Sequence, residues 1–143
     1  MLIKIVAVIA GLIVGMLATA GIEGIGHQIY PPPTGLASAK PEVVKELVKE
    51  YLKTAPLGSL LMVNLAHAIG AFLAGVVATL IHNPNSRNLA LTCGIILTVA
   101  GILNLVLIPH PMWFAILDVL LYIPFALMGN KIVLLVTQKN KLI

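Results

Sequence analysis

Residues 57–81 read LGSLLMVNLAHAIGAFLAGVVATLI, and this stretch decides the fold class. Its twenty-five residues include no Asp, Glu, Lys or Arg. A helix rising ~1.5 Å per residue needs about 20 such residues to cross a hydrocarbon core about 30 Å thick. Three more predominantly apolar stretches meet that requirement, at residues 2–30, 89–108 and 112–136. None shows the alternation of a membrane β-strand, and all exceed the roughly 9–11 residues such a strand needs. Composition agrees: 59% of the 143 residues are hydrophobic and 10% charged, against about 45–50% and about 25% in soluble domains. The expected fold is all-α, a single polytopic domain of four transmembrane helices.

The first stretch imitates a secretory leader, with Lys4, an apolar run and the small residues Ala18–Ala20. Its apolar character continues through Ile22, Ile25 and Ile29, beyond any cleavage point, so retention as a helix is expected. Four crossings put both termini on one side. That side carries Lys4, Arg87, Lys131, Lys139 and Lys141, and the other carries Lys40, Lys45, Lys49 and Lys53. The excess of one places the termini in the cytoplasm and the protein in the inner (plasma) membrane. A net charge of +4 without a basic, aromatic-interleaved cluster suits an anionic lipid surface and excludes a nucleic-acid partner.

Between the first two crossings, KPEVVKELVKEYLKTAP (residues 40–56) predicts a short amphipathic helix over 41–54. Pro41 suits the first helical position. Val43, Val44, Leu47, Val48, Tyr51 and Leu52 form one stripe opposite a ladder of Lys and Glu. Such a helix lies in the membrane interface or caps the bundle as a lid. The PHP turn makes the third and fourth crossings antiparallel neighbours.

Small residues recur at packing intervals: Gly11 and Gly15, then Ala66, Gly70, Ala74 and Ala78, then Gly94 and Thr98. Rows of this kind bring helix backbones together, within one chain or across a homo-oligomer or larger membrane complex. Cys93 is single and falls in mid-helix, where packing is its expected role.

Ionisable residues in hydrocarbon cost about 2.5–3.5 kcal/mol and normally turn inward to partners. Here they gather in the half away from the termini. Glu23 and His27, one helical turn apart, lie roughly 10 Å and about 5 Å below that surface. Asn64, His67, Asn104 and Asp118 fall at comparable depths on the other helices, with almost nothing comparable expected in the cytoplasmic half. Asp118 has no Lys or Arg within reach on its own helix and must be protonated or paired across helices. Glu23, His27, His67 and Asp118 supply the ligand types of a divalent transition-metal site. Their spacing, Glu-x-x-x-His, differs from the Glu-x-x-His of carboxylate-bridged bundles. His110 reads as a turn residue beside Trp113, Pro124 as a kink below Asp118, and Lys131 as a side chain snorkelling to the interface.

Through EGIGHQIYPPPTG (23–35), AHAIGAFLAG (66–75) and NLVLIPHPMWFAILDVLLYIPFALMG (104–129) the chain resembles small uncharacterised four-helix integral membrane proteins of bacteria. The resemblance covers nearly the whole chain and implies a fold without an activity. No GxSxG, HExxH or glycine-rich phosphate loop is present. The expected function is therefore a non-enzymatic binding protein, transport accessory or complex subunit carrying a Glu/His/Asp cluster. The alternative is an intramembrane enzyme using the same acids and bases on a lipid or isoprenoid.

Overall fold

The computed structural model describes residues 1–38, 40–82, 87–108 and 110–139, all helix and connecting turn. The helices are α1 (Leu2–Ile29), α2 (Pro41–Thr54), α3 (Leu57–His82), α4 (Arg87–Leu107) and α5 (Met112–Lys139), with one 3-10 turn at Leu36–Ser38. All but α2 are long and apolar enough to cross a membrane, the pattern of a multi-pass membrane protein. Lys141 lies outside the described residues.

Proline sets most of the boundaries. The last backbone bond of α1 runs from Tyr30 N–H to Gly26 O at 2.8 Å, just before the Pro31–Pro33 run, which has no N–H groups to continue the ladder. Gly35 takes φ +87, a left-handed conformation that turns the chain toward α2. Pro41 opens α2, where its missing donor costs nothing. The Pro56 carbonyl accepts from both the N–H and the hydroxyl of Ser59, capping the start of α3. α5 is helical through Pro124, which sits on an exposed face.

α3 is the central helix and packs on α1, α4 and α5. The α1–α3 seam is built from the small residues anticipated in sequence. A Cβ on Gly11 would come within 2.6 Å of the Ala74 carbonyl, and one on Gly15 within 2.6 Å of the Gly70 carbonyl. The Thr19 hydroxyl donates to the Ala66 carbonyl across the same seam at 3.2 Å. Gly11 and Gly15 are thus occupied by α3 of the same chain. On its other side α3 runs parallel to α5, where a Cβ on Gly75 would strike the Ala126 carbonyl and one on Gly129 the Phe72 carbonyl. Antiparallel α4 closes on α5 through Gly94, and Cys93 is buried with Ala74 and Ala78.

α2 forms over the anticipated residues, with Val44, Leu47, Val48, Tyr51 and Leu52 half-buried and Val43 exposed. Its outer face carries the ion pairs Lys49–Glu46 at 3.4 Å and Lys53–Glu50 at 2.6 Å.

The half of the bundle near the termini is less apolar than expected. Thr79 and Asn130 are buried there, with Asn130 Nδ2 donating to Thr79 Oγ1 at 3.2 Å. Neither is ionisable, so a hydropathy reading passes over them. Once buried, each still needs a partner.

Candidate functional site

The site is assembled from α1, α3 and α5 in the half away from the termini. Asp118 of α5 is 2% exposed, a depth at which a lone carboxylate would be prohibitively costly. It is held by two donors. His67 Nδ1–H donates to Asp118 Oδ1 at 2.6 Å, and the Tyr122 hydroxyl donates to Oδ2 at 3.1 Å while lying 2.9 Å from the same imidazole nitrogen. The carboxylate therefore fixes the tautomer and orientation of His67. The other ring nitrogen, Nε2, faces Glu23 Oε1 of α1 at 3.5 Å.

Helix geometry explains how these four groups meet. Asp118 and Tyr122 are one turn apart on α5 and share a face. The contacts 67–118 and 79–130 have the same offset of 51 residues, so α3 and α5 run parallel and in register. Glu23 reaches His67 because the glycine seam holds α1 close to α3. Gly101 of α4 leaves room for the phenol ring: a Cβ there would meet Tyr122 Cε2 at 2.7 Å and its hydroxyl at 2.8 Å.

Two cavities meet at Glu23. The first, of about 190 Å³, lies at the α1–α3 end beneath α2 and is lined by Glu23, His27, Tyr30, Val48, Tyr51 and His110 among others. The second, of about 260 Å³, lies between α1 and α4 with α3 and α5 as its floor, and Glu23, His67 and Tyr122 are its acid and base groups. Glu23, 32% exposed, is common to both.

Of the residues singled out in sequence, the fold joins Glu23, His67 and Asp118. His27 is exposed and lines the first cavity, while the ion pair of Glu23 runs to His67 instead. His110 stacks on Phe114 at 4.7 Å, with Nδ1 2.7 Å from the Ile108 carbonyl, and borders the first cavity. Asn104 is exposed at the second cavity. Asn64 is 3% exposed, and neither polar atom of its side chain has a hydrogen-bond partner among the described residues. Tyr122 was missed. Its position four residues after Asp118 is the signal that could have found it.

Among the described residues, no group of three or more His, Cys, Asp or Glu side chains is placed to hold a metal ion. No protein family, curated protein or solved structure matches the chain, so its functional reading rests on this geometry.

Proposed function

We propose that this is a non-enzymatic membrane protein that binds a small ligand at the Glu23–His67–Asp118–Tyr122 cluster in exchange for a proton. The position of Glu23 carries the reading. Its carboxylate lines both cavities and faces an imidazole whose opposite nitrogen is anchored on a buried aspartate. Two carboxylates share one imidazole, so even a protonated His67 balances only one of them. Asp118, at 2.6 Å, claims that charge ahead of Glu23, at 3.5 Å. Glu23 is left as the exchangeable end of the chain, the carboxylate at which a proton and a ligand would compete.

The setting follows from the sequence. The protein lies in the inner membrane with cytoplasmic termini, on the excess of one Lys or Arg there. α2 lies in the opposite interface, its apolar stripe over the first cavity. The exposed apolar outer faces of α1 and α4 meet lipid or a further subunit.

Infrared titration of the purified protein tests the proposal. A protonated-carboxyl band that titrates with pH should be present in wild type and absent from Glu23→Gln. An unchanged band would overturn the reading. A divalent metal is the competing occupant, since Glu23 Oε1 and His67 Nε2 are two donors 3.5 Å apart. Stoichiometric zinc, iron or manganese in protein purified without chelator, lost from Glu23→Gln, would replace proton exchange by metal binding. The Asp118–His67 pair, with Nε2 toward a cavity, also favours a second reading as an acid–base dyad of an intramembrane enzyme. Turnover of a co-purifying lipid, abolished in His67→Gln, would mark that case.

A further inference from the structure

The second cavity narrows the chemistry of the ligand. We infer that the ligand is an organic monocation with an apolar body, which enters from the bilayer between α1 and α4 and takes the place of the proton on Glu23. The inference rests on the proton-exchange reading above and adds the ligand's class and its route.

Three observations converge on it. The first is charge. α3 contains no Lys or Arg, and those of α1, α4 and α5 are Lys4, Arg87, Lys131 and Lys139, toward the opposite end of the bundle. The titratable groups facing Glu23 are His67 from α3 and Asp118 and Tyr122 from α5. His27 one turn along α1, Tyr30, Tyr51 of α2 and His110 border the first cavity with it. α4 contributes Asn104, an uncharged side chain. His67 is shared between Asp118 at 2.6 Å and Glu23 at 3.5 Å, so one imidazole cannot balance both carboxylates, and no Lys or Arg lines the second cavity.

The second observation is the wall chemistry. Around that one carboxylate the second cavity presents Met16, Ala71, Leu97, Ala100 and the phenol of Tyr122. An inorganic ion keeps its affinity for water in such surroundings, whereas an apolar cation buries its body there and brings its charge to Glu23. The third observation is access. α4 packs chiefly on α3 and α5, and the α1 and α4 residues at the rim, Met16, Ala20, Ala100 and Asn104, are exposed. In a bilayer that opening faces acyl chains, from which a lipid-soluble cation can enter.

The exchange balances: protonated Glu23 and a free cation give carboxylate-bound cation and one proton released to water. Benzyltrimethylammonium is a suitable probe, and neopentylbenzene is its uncharged isostere. With the full chain in an uncharged detergent, the cation should bind saturably and release one proton. Its affinity should rise about tenfold per pH unit over the range in which Glu23 is protonated. Neopentylbenzene should release none and bind at least about tenfold more weakly. Glu23→Gln keeps a side chain that can hydrogen-bond His67, and should fold normally by gel filtration and circular dichroism yet lose the cation by about tenfold or more. Equal binding of cation and isostere, or cation binding without proton release, would overturn the inference. A Glu23-dependent carboxyl titration with no cation binding would sink this inference alone; loss of that titration as well would sink the proton-exchange reading too.

Discussion

At the scale of single residues, the decisive contrast is between Asp118 and Asn64. Both are buried polar side chains, but Asp118 has two donors and Asn64 has no partner among the described residues. Replacing Asp118 by Leu removes a costly carboxylate but leaves the imidazole and phenol without their acceptor. We expect Asp118→Leu to lose about 1–3 kcal/mol of stability for the stranded partners, and to abolish proton exchange as well. Asn64→Leu keeps the branched shape and removes a desolvated amide that contributes nothing. Thermal melting of this variant should show stability equal to or above wild type, and a fall of several degrees would reveal a partner for Asn64. Tyr122→Phe deletes one donor to Asp118 and should cost about 1 kcal/mol. A double-mutant cycle with His67→Gln should show coupling, because both side chains meet the same carboxylate.

At the scale of helices, glycine separates seams from open faces. Gly75 and Gly129 lie where a Cβ would enter the backbone of the neighbouring helix, whereas a Cβ at Gly21 or Gly24 meets nothing within 4 Å. Gly75→Ala and Gly129→Ala should each cost about 1–3 kcal/mol or more through overpacking. Gly21→Ala and Gly24→Ala should stabilise α1 by about 0.5–1 kcal/mol by removing backbone freedom. Denaturant titration of the four variants checks the sign at each position. α2 follows a different rule, since its Lys–Glu ladder is solvent-exposed. The Lys53 ammonium hydrogen-bonds Glu50 and holds its carboxyl below the ordinary carboxylate range. Any stability from the pair is therefore present at neutral pH and is lost as pH falls through the lowered Glu50 pKa. Exposure keeps it small, and Lys53→Ala should leave the melting temperature unchanged at pH 7.

At the scale of the whole molecule, the four crossings make a sidedness prediction. A cysteine at Lys45, on α2, and one at Lys139, at the end of α5, should react with an impermeant maleimide from opposite faces of sealed membranes. The buried Cys93 provides an unreactive background. Labelling of both from one face would contradict four crossings. The polar groups also occupy both halves of the bundle: the ionisable cluster lies in one, and the Thr79–Asn130 pair in the other. Only the first borders the cavities at Glu23.

The number of spans, their limits within a few residues and the amphipathic α2 were legible in the sequence, because hydropathy, proline and helical periodicity act locally. So was the inward turn of Glu23, His67 and Asp118, because an ionisable group in an apolar helix must find a partner. The choice of partners was decided by tertiary structure. Glu23 pairs with His67, forty-four positions away in sequence, and not with His27 one turn along its own helix. The glycine seam holds α1 close to α3 and so brings His67 within reach of Glu23. Tyr122 joined through the parallel register of α3 and α5 and the space left by Gly101. The second cavity opens because α1 packs chiefly on α3 while α4 packs chiefly on α5 and α3. Spacing along one helix sets which residues share a face, and only the packing of four helices determines what that face meets.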